Sequence, residues 1–584
     1  MKYSDQIAAW LKELGYTHYF YVGGGNIMHL TESLSNYLQG IPVIHEVAAG
    51  IAAEYFNEIS TNEKALALVT TGPGITNIVT AISGAWLESR ELLVIGGQVK
   101  SSDLSRGKLR ARGIQEVNGV ELLSSTTKKS VLIDSPINAK TFSSYVGQSW
   151  ESRKGPVFLE IPLDVQAANV KAANVVSHTE QKLKKVSLGE MQKIIDLYDM
   201  SERPVLLIGG GVDYECAVRN GDRLKKLSIP VMTTYNGADR CNSSNDNYFG
   251  RPNTWGRRSS NIIIQNSDLI IAIGTRLGLQ QTGFNWQEFG RNAKIIQIDI
   301  DKSELEKGHP NIYMGLDVDA NDFIGKLLSR NLLGREDWLK KAQRIEREIP
   351  RVESINITGD DYISPYDFIV DLETITKNDD VIIPCSSGSA FTLTMSLYKP
   401  KYGQRMLTNK QLASMGYGLS GAIGAAIAKR DKRTILIEGD GGFAQNLQEV
   451  GTAKINELNL KIFIFDDQGH ASIRMTQINY FGGKYLGCDT DSGLGLPNWL
   501  KLFDAWDLPV IEINKGFVNN KEFLERFNAD GVAVFVVKID PKQTYFPKIS
   551  SRVTSSGSME SNPIDVMSPE IDLEQVLKLS TSTD

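Results

Sequence analysis

Short apolar runs alternate with amphipathic stretches along almost the whole chain. HYFYVGG, KALALVTTG, LLVIGGQ and GPVFLEIP fall in the first 165 residues; PVLLIGGG, IPVMTTYNG, DLIIAIGTR and KIIQIDID lie between about 200 and 302; VIIPCSSG, TILIEGDG, KIFIFDDQG and VAVFVVKID lie between about 380 and 540. The runs are apolar throughout rather than alternating, which is the pattern of strands covered on both faces in parallel sheets. Several end in Gly, Asp or Thr at the carboxyl end. The three groups predict an α/β protein of three doubly wound parallel-sheet domains, over 1–168, 187–345 and 360–545, with a tail at 546–584. Two stretches, 164–186 and 345–363, lose the strand rhythm and read as linkers. The tail is rich in Ser and Pro and reads as extended, with Tyr545, Phe546 and Met567 anchoring it.

Two segments need a closer look before this picture holds. The N-terminus, MKYSDQIAAWLKELGY, carries Asp5, Lys12 and Glu13 inside its apolar pattern, so it reads as an amphipathic helix and not a signal peptide. Gln411 to Ala428 carries no charge, but its glycines and modest hydrophobicity point to a buried loop and helix rather than a membrane span. Composition adds little beyond exclusions. The 584 residues hold 63 Lys and Arg against 69 Asp and Glu, a net charge of −6, too mild for a nucleic-acid binder. Cys216, Cys241, Cys385 and Cys488 are far apart and form no CxxC pair, so neither a zinc site nor a disulfide framework is expected, and a reducing cytoplasm fits.

The most informative segment runs from Arg433 to His470: strand, glycine turn, helix, strand. Asp440 stands just past the first strand and Asp467, 27 residues on, just past the second. A right-handed βαβ unit brings both carboxyl ends to one edge of the sheet, so the two carboxylates converge there. Gly441 and Gly442 let the backbone approach a ligand, and the following helix aims free N–H groups at it. Two hard oxygen ligands beside phosphate-binding amides suit Mg²⁺. Read singly, either aspartate is a helix cap or a strand end; together, with GDGG between them, they make a site.

This segment resembles the cofactor-binding motif of thiamine-diphosphate enzymes, most of all acetolactate synthase and its relatives, and the resemblance covers about residues 1–545. It implies that the first domain binds the pyrimidine and the third the diphosphate, with Asp440, Asp467 and the backbone carbonyl of Gly469 holding the metal. Asp466-Asp467 departs from the Asn-Asn usual there; the extra negative charge implies tighter metal binding. Glu46, in IPVIHEVAAGIAAEYF, would bond the cofactor's pyrimidine nitrogen; without the resemblance it reads equally well as a glutamate at a helix N-terminus. In NKQLASMGYGLSGAIGAA, Met415 would wedge the folded cofactor and Ala413, where Gly is usual, would offer its carbonyl. In PCSSGSAF, Gly388 and Ser389 would contact the diphosphate, although the usual Gly-Gln-His is missing. In RARGIQEVNG, Gln115 would point at the reacting carbonyl, with Ile114 where Phe is common. VTTGPGITN, by itself, says only that a turn lies there. Because the resemblance places Glu46 and Gln115 over the third domain of another copy, a homodimer is the minimum active unit and a tetramer is common.

In the middle domain Gly209, Gly210, Gly211, Thr233, Gly274, Arg276, Asp299 and Asp317 stand at the carboxyl ends of predicted strands, where α/β sheets bind ligands. The set resembles the flavin-binding domain of acetolactate synthases and implies FAD, with Arg276 near the pyrophosphate or isoalloxazine and the two aspartates near ribose or adenine. The reaction implied is decarboxylation of a 2-oxo acid, pyruvate, and transfer of the two-carbon unit to a carbonyl acceptor. Thr476 occupies the place of a bulky tryptophan in the amino-acid-biosynthetic relatives, which leaves room for a larger acceptor such as a 4-keto sugar nucleotide as well as a second pyruvate. Two alternatives stay open: a simple decarboxylase or C–C hydrolase on the same cofactor, and a non-catalytic flavin- or nucleotide-binding subunit.

Overall fold

The computed structural model describes residues 1–174, 182–553, 557, 559–572 and 576. The chain forms two compact units, one of Met1–Gln181, Asp380–Ala390 and Thr408–Val537, the other of Lys182–Asp379, Phe391–Leu407 and Lys538–Asp584.

Three parallel sheets carry the fold. In the first, strands lie side by side in the order Gln39–Pro42, Tyr16–Tyr21, Lys64–Val69, Leu92–Gln98, Pro156–Pro162, Lys129–Leu132. The second runs Met314–Asp317, Lys294–Asp299, Leu269–Ile273, Pro204–Ile208, Val231–Thr233. In the third, Val381–Ile383, Thr434–Gly439, Leu460–Asp466, Ala533–Lys538 and Val510–Ile513 follow one another. Each of the twelve apolar runs forms a strand, and the interior ones are buried along their length because helices cover both faces. The expected α/β class of three doubly wound sheets stands.

The strands that the pattern did not announce are mostly edges. Gln39–Pro42 and Lys129–Leu132 are only half-buried, so no long apolar run marks them. The N-terminal helix forms over Tyr3–Glu13, with the Asp5 carboxylate accepting the Lys2 N–H at 3.0 Å across its first turn. The Gln411–Ala428 stretch is a loop followed by the helix Tyr417–Ala428, which is buried almost throughout. Among the described residues no helix is long and apolar enough to cross a membrane. All four cysteines are free and buried.

The expected linkers and tail need adjustment. The helix Glu336–Glu348 extends into the 345–363 stretch, using Trp338, Ala342 and Ile345 as its buried stripe. Within 164–186, residues 175–181 lie outside the described ones. The tail is not simply extended: Lys548–Ile549 pairs antiparallel with Met567–Ser568, and Ser551–Val553 with Met559–Ser561. Met567 is buried, and the Phe546 carbonyl accepts from Tyr366 Oη at 2.9 Å and Asn356 Nδ2 at 3.0 Å.

One helix pair ties the first and third sheets into a single unit. The helices Glu46–Ile59 and Tyr417–Ala428 meet closely, Ala52 and Tyr55 on one against Gly424 and Gly421 on the other. A Cβ on Gly424 would stand 2.1 Å from the Ala52 carbonyl oxygen, and one on Gly421 2.6 Å from the Tyr55 ring. Gly424→Ala is therefore expected to force the helices apart. Overpacking of this kind costs about 1–3 kcal/mol, against a gain of up to about 1 kcal/mol in helix propensity. Urea or thermal melts of the metal-free chain should show a lower midpoint; an unchanged or higher one would mean the helices have room to spare.

Candidate functional site

The Asp440 and Asp467 carboxylates come to the same edge of the third sheet because their strands, Thr434–Gly439 and Leu460–Asp466, are parallel neighbours. Asp440 Oδ1 accepts the N–H of Gly441 at 2.6 Å, and its Oδ2 accepts the N–H of Gly469 at 3.1 Å. The second segment is thus folded back onto the first. Gly469, at φ 157°, is wedged so closely that a Cβ would stand 2.1 Å from the Cys488 carbonyl oxygen. A Cβ on Gly441 would strike His470 Nδ1 at 2.3 Å, so that glycine makes space for the histidine ring. Gly442 is half-open and lies beside Glu438.

Both aspartates are buried. Burial holds the Asp440 carboxyl well above its usual range, and repulsion from Asp467 and Asp466 pushes it further. Asp467 is raised as well, again mainly by burial, with Arg474 opposing. Two carboxylates brought to one sheet edge could both turn toward a divalent cation. Among the described residues no three His, Cys, Asp or Glu side chains gather as a closed cage. Two carboxylates that need phosphate oxygens and water to complete a shell suit Mg²⁺ better than zinc. The residues therefore fit a hard divalent ion with a diphosphate.

The loop ahead of the Tyr417–Ala428 helix carries the next candidates. Ala413 is left-handed at φ 55°, a conformation in which a Cβ is strained by about 1–2 kcal/mol, and Gly416 is left-handed at φ 80°. Met415 is 37 % exposed, so it is not the core methionine its surroundings in the sequence suggest. The loop is pinned from the first half of the chain. Glu88 accepts the Gln411 N–H at 2.7 Å, and Arg90 donates to the Thr408 carbonyl while pairing with Glu54 at 2.7 Å. Tyr417 and Asn409 donate to the same Glu54, which burial raises despite those partners. Gly388, exposed and left-handed at φ 78°, and half-buried Ser389 open the Gly388–Leu397 helix.

Glu46 is the first residue of its helix and is 8 % exposed, and Asn77 Nδ2 donates to its Oε2 at 2.9 Å. The turn before it is held by Glu449, whose Oε1 accepts the N–H groups of Ile44 and His45 at 3.1 and 3.0 Å. Gln115 is exposed at φ 62°, its carbonyl 3.5 Å from Thr71 Oγ1; a Cβ on Gly72 would lie 2.4 Å from that carbonyl. VTTGPGITN therefore serves both candidates, supporting Gln115 at one end and Glu46 at the other. Glu116 closes the Gln115 loop by accepting the N–H groups of Ser105, Arg112 and Gly113 at 2.6, 2.7 and 3.2 Å. Beneath it Thr71, Gln98 and Glu160 form a buried chain of hydrogen bonds, with burial pushing Glu160 up to about 8.

Sequence reasoning missed Asn77, Glu449, Glu88, Arg90 and Arg474. All five act across long sequence separations or within segments read for another residue. The available signal was charge or amide inside otherwise apolar or glycine-rich stretches.

In the second unit, three glycines account for one another. Gly209 N–H donates to the Ile273 carbonyl at 2.8 Å and Gly211 N–H to the Gly274 carbonyl at 2.9 Å. A Cβ on Gly209 would lie 2.3 Å from the Gly274 oxygen, so two strand-end loops run backbone on backbone there. Gly210 lies against Asn236. Thr233 is buried, its hydroxyl 3.0 Å from Tyr248 Oη. Asp299 and Asp317 are register partners at the ends of adjacent strands. Arg276 is half-buried, with its carbonyl accepting from Lys307 Nζ.

Residues 1–122 match the family model of the thiamine pyrophosphate enzyme N-terminal TPP binding domain, 191–327 that of the central domain, and 386–537 that of the C-terminal TPP binding domain. The chain belongs to the thiamine pyrophosphate enzymes. Within them it is an enzyme of the acetolactate-synthase type. It is 28% identical over 536 residues to the acetolactate synthase isozyme 1 large subunit of Escherichia coli (strain K12), covering 90% of this chain and 92% of that one. It is also 28% identical over 565 residues to the probable acetolactate synthase large subunit of Methanocaldococcus jannaschii, covering 93% of each. Acetolactate synthase 2, chloroplastic, of Nicotiana tabacum is 28% identical over 537 residues, 88% of this chain and 78% of that one.

Proposed function

We propose that the chain is a carboligase that decarboxylates pyruvate and joins the two-carbon unit to a carbonyl acceptor. The observation that carries this is the meeting of buried Asp440 and Asp467 with the Gly469 turn at one sheet edge, in a chain whose first and third sheets both match thiamine pyrophosphate binding domains. Thiamine diphosphate, held through Mg²⁺, would supply the nucleophilic carbon that this chemistry needs. Asp440, Asp467 and the Gly469 carbonyl would hold the metal, with Gly388, Ser389, Gly441 and Gly442 beside the diphosphate. Met415 would shape the cofactor's fold, and Ala413 would offer its carbonyl, a role the left-handed backbone there supports. Glu46, poorly hydrated and oriented by Asn77, would share a proton with the pyrimidine ring. Gln115 would orient the reacting carbonyl. Ile114 beside it is 85 % exposed and Leu109 60 %, which supports a second copy of the chain covering this loop as a homodimer or larger oligomer.

Two acceptors fit, a second pyruvate and a keto sugar nucleotide. Exposed, short Thr476 on the helix Ala471–Phe481 favours the larger one. FAD in the central domain is the second cofactor of this proposal, supported by Arg276, Asp299 and Asp317 at the carboxyl ends of their strands; the inward-turned Thr233 hydroxyl does not support it. The test is incubation of the purified chain with pyruvate, Mg²⁺ and thiamine diphosphate, with and without a 4-keto sugar nucleotide, followed by mass analysis. Acetolactate or a two-carbon-extended sugar is expected. Free acetaldehyde as the main product in both arms would show a simple decarboxylase instead. A visible absorbance spectrum of the same preparation reads the flavin.

A further inference from the structure

Between the metal segment and the helix that follows it lies a buried ion pair that neither the sequence motif nor the proposed chemistry accounts for. Arg474, on the helix Ala471–Phe481, is buried, and its Nη2 lies 2.9 Å from Asp467 Oδ1. The same nitrogen donates to the Asp467 backbone carbonyl at 2.9 Å. Its Nη1 side rests against Gly469, where a Cβ would stand 2.7 Å away. The guanidinium therefore stands against the Asp467 carboxylate as an ion pair and holds the same residue's backbone by a hydrogen bond. Asp440 reaches the same turn, its Oδ2 accepting the Gly469 N–H at 3.1 Å. A cation placed there changes what that turn presents to an incoming ion.

We propose that Arg474 is a positioning residue for the metal site: a built-in counter-ion that occupies one Asp467 oxygen and leaves the other for the divalent cation. A guanidinium is suited to this, because it keeps its charge when buried and so offsets one negative charge beside the metal at any working pH. Asp467 then presents a single oriented oxygen, and the site keeps its net attraction through Asp440. The proposal rests on the metal-site reading above. It implies that Asp467 and Arg474 are coupled: removing the carboxylate alone strands a buried cation beside the incoming metal.

The test is a double-mutant cycle on the full chain with Mn²⁺ and inorganic pyrophosphate as probes, read by electron paramagnetic resonance of free Mn²⁺, with circular dichroism as the folding control. Arg474→Gln alone is expected to weaken Mn²⁺ binding by about 10- to 100-fold, the usual scale for groups that orient metal ligands. Added to Asp467→Asn it should cost far less, because the carboxylate it positions is already gone. If the Gln variant does not fold, Arg474→Met is the replacement, with the same expectation. Equal losses from Asp467→Asn in the presence and absence of Arg474 would overturn the proposal. No Mn²⁺ binding by the unsubstituted chain is a different result, which removes the metal-site reading itself and this proposal with it.

Discussion

Replacing Glu46 by Gln is expected to lower product formation from pyruvate by about 10²- to 10⁴-fold, the range that positioned acid–base groups contribute, while thiamine diphosphate still binds. The reasoning begins with size. Gln matches Glu in shape, and the Asn77 amide that now donates to Glu46 Oε2 can donate as well to a neutral amide oxygen. The backbone turn ahead of residue 46 is fixed by Glu449, independently of that side chain. The fold should therefore survive, with at most about 1 kcal/mol lost from the carboxylate's favourable place at a helix N-terminus. What Gln cannot do is exchange a proton with a ring nitrogen. Hydrogen–deuterium exchange at C2 of the bound cofactor, followed by NMR, separates this role from a structural one. Exchange and turnover should fall together, with the thermal midpoint and cofactor affinity close to those of the unsubstituted chain. Turnover within threefold of the unsubstituted enzyme would leave Glu46 as a helix-terminal glutamate and nothing more.

The parts of this protein legible in its sequence are those whose cause is local. Interior strands such as Leu92–Gln98 and Pro204–Ile208 are buried on both sides, so every residue must be apolar and the run announces itself. Edge strands such as Gln39–Pro42 and Lys129–Leu132 lack that requirement and leave no run to read. The helix Glu336–Glu348 shows a related failure: its buried stripe is only Trp338, Ala342 and Ile345 among many charges, so its C-terminal turn looked like linker. At the site, Asp440 and Asp467 were legible because βαβ handedness converts a sequence spacing into a shared edge. Glu449, 405 residues from Ile44, was not, and neither was Arg90, 318 residues from the Thr408 carbonyl it holds. Such partners are chosen by packing between distant segments, and no local periodicity records the choice. Arg474 is the intermediate case. It lies seven residues past Asp467, but only the turn at Gly469 and the following helix bring it back to that carboxylate.

Asp440→Asn should remove divalent-ion binding, about 100-fold or more in Mn²⁺ affinity, and with it activity dependent on thiamine diphosphate, yet leave the metal-free chain at least as stable as before. The two halves of this expectation come from one cause. Asp440 is buried beside Asp467 and Asp466, and both burial and their repulsion raise its carboxyl well above the ordinary value. An acid whose native pKa is raised favours the native state only where it is protonated. Its contribution is fully present below the unfolded-state value, near 4, and is lost as the pH rises through the native one. At neutral pH and above, the metal-free chain either holds a proton there or bears a buried charge, and both carry a cost that an amide does not. Asn keeps an oxygen for one of the two N–H groups that Asp440 now accepts, from Gly441 and Gly469, so the loss of the second bond sets an upper limit to the gain. Thermal melts of the metal-free chain should therefore show the variant's relative stability improving from pH 5 to pH 8, a direction opposite to that of an ordinary surface carboxylate. Added Mg²⁺ with thiamine diphosphate should raise the midpoint of the unsubstituted chain and leave that of the variant unmoved, because ligand stabilisation follows affinity. A variant that is stabilised by these ligands as strongly as the parent chain would place the cation elsewhere; one that binds none and melts higher identifies Asp440 as a residue whose stability cost serves the metal.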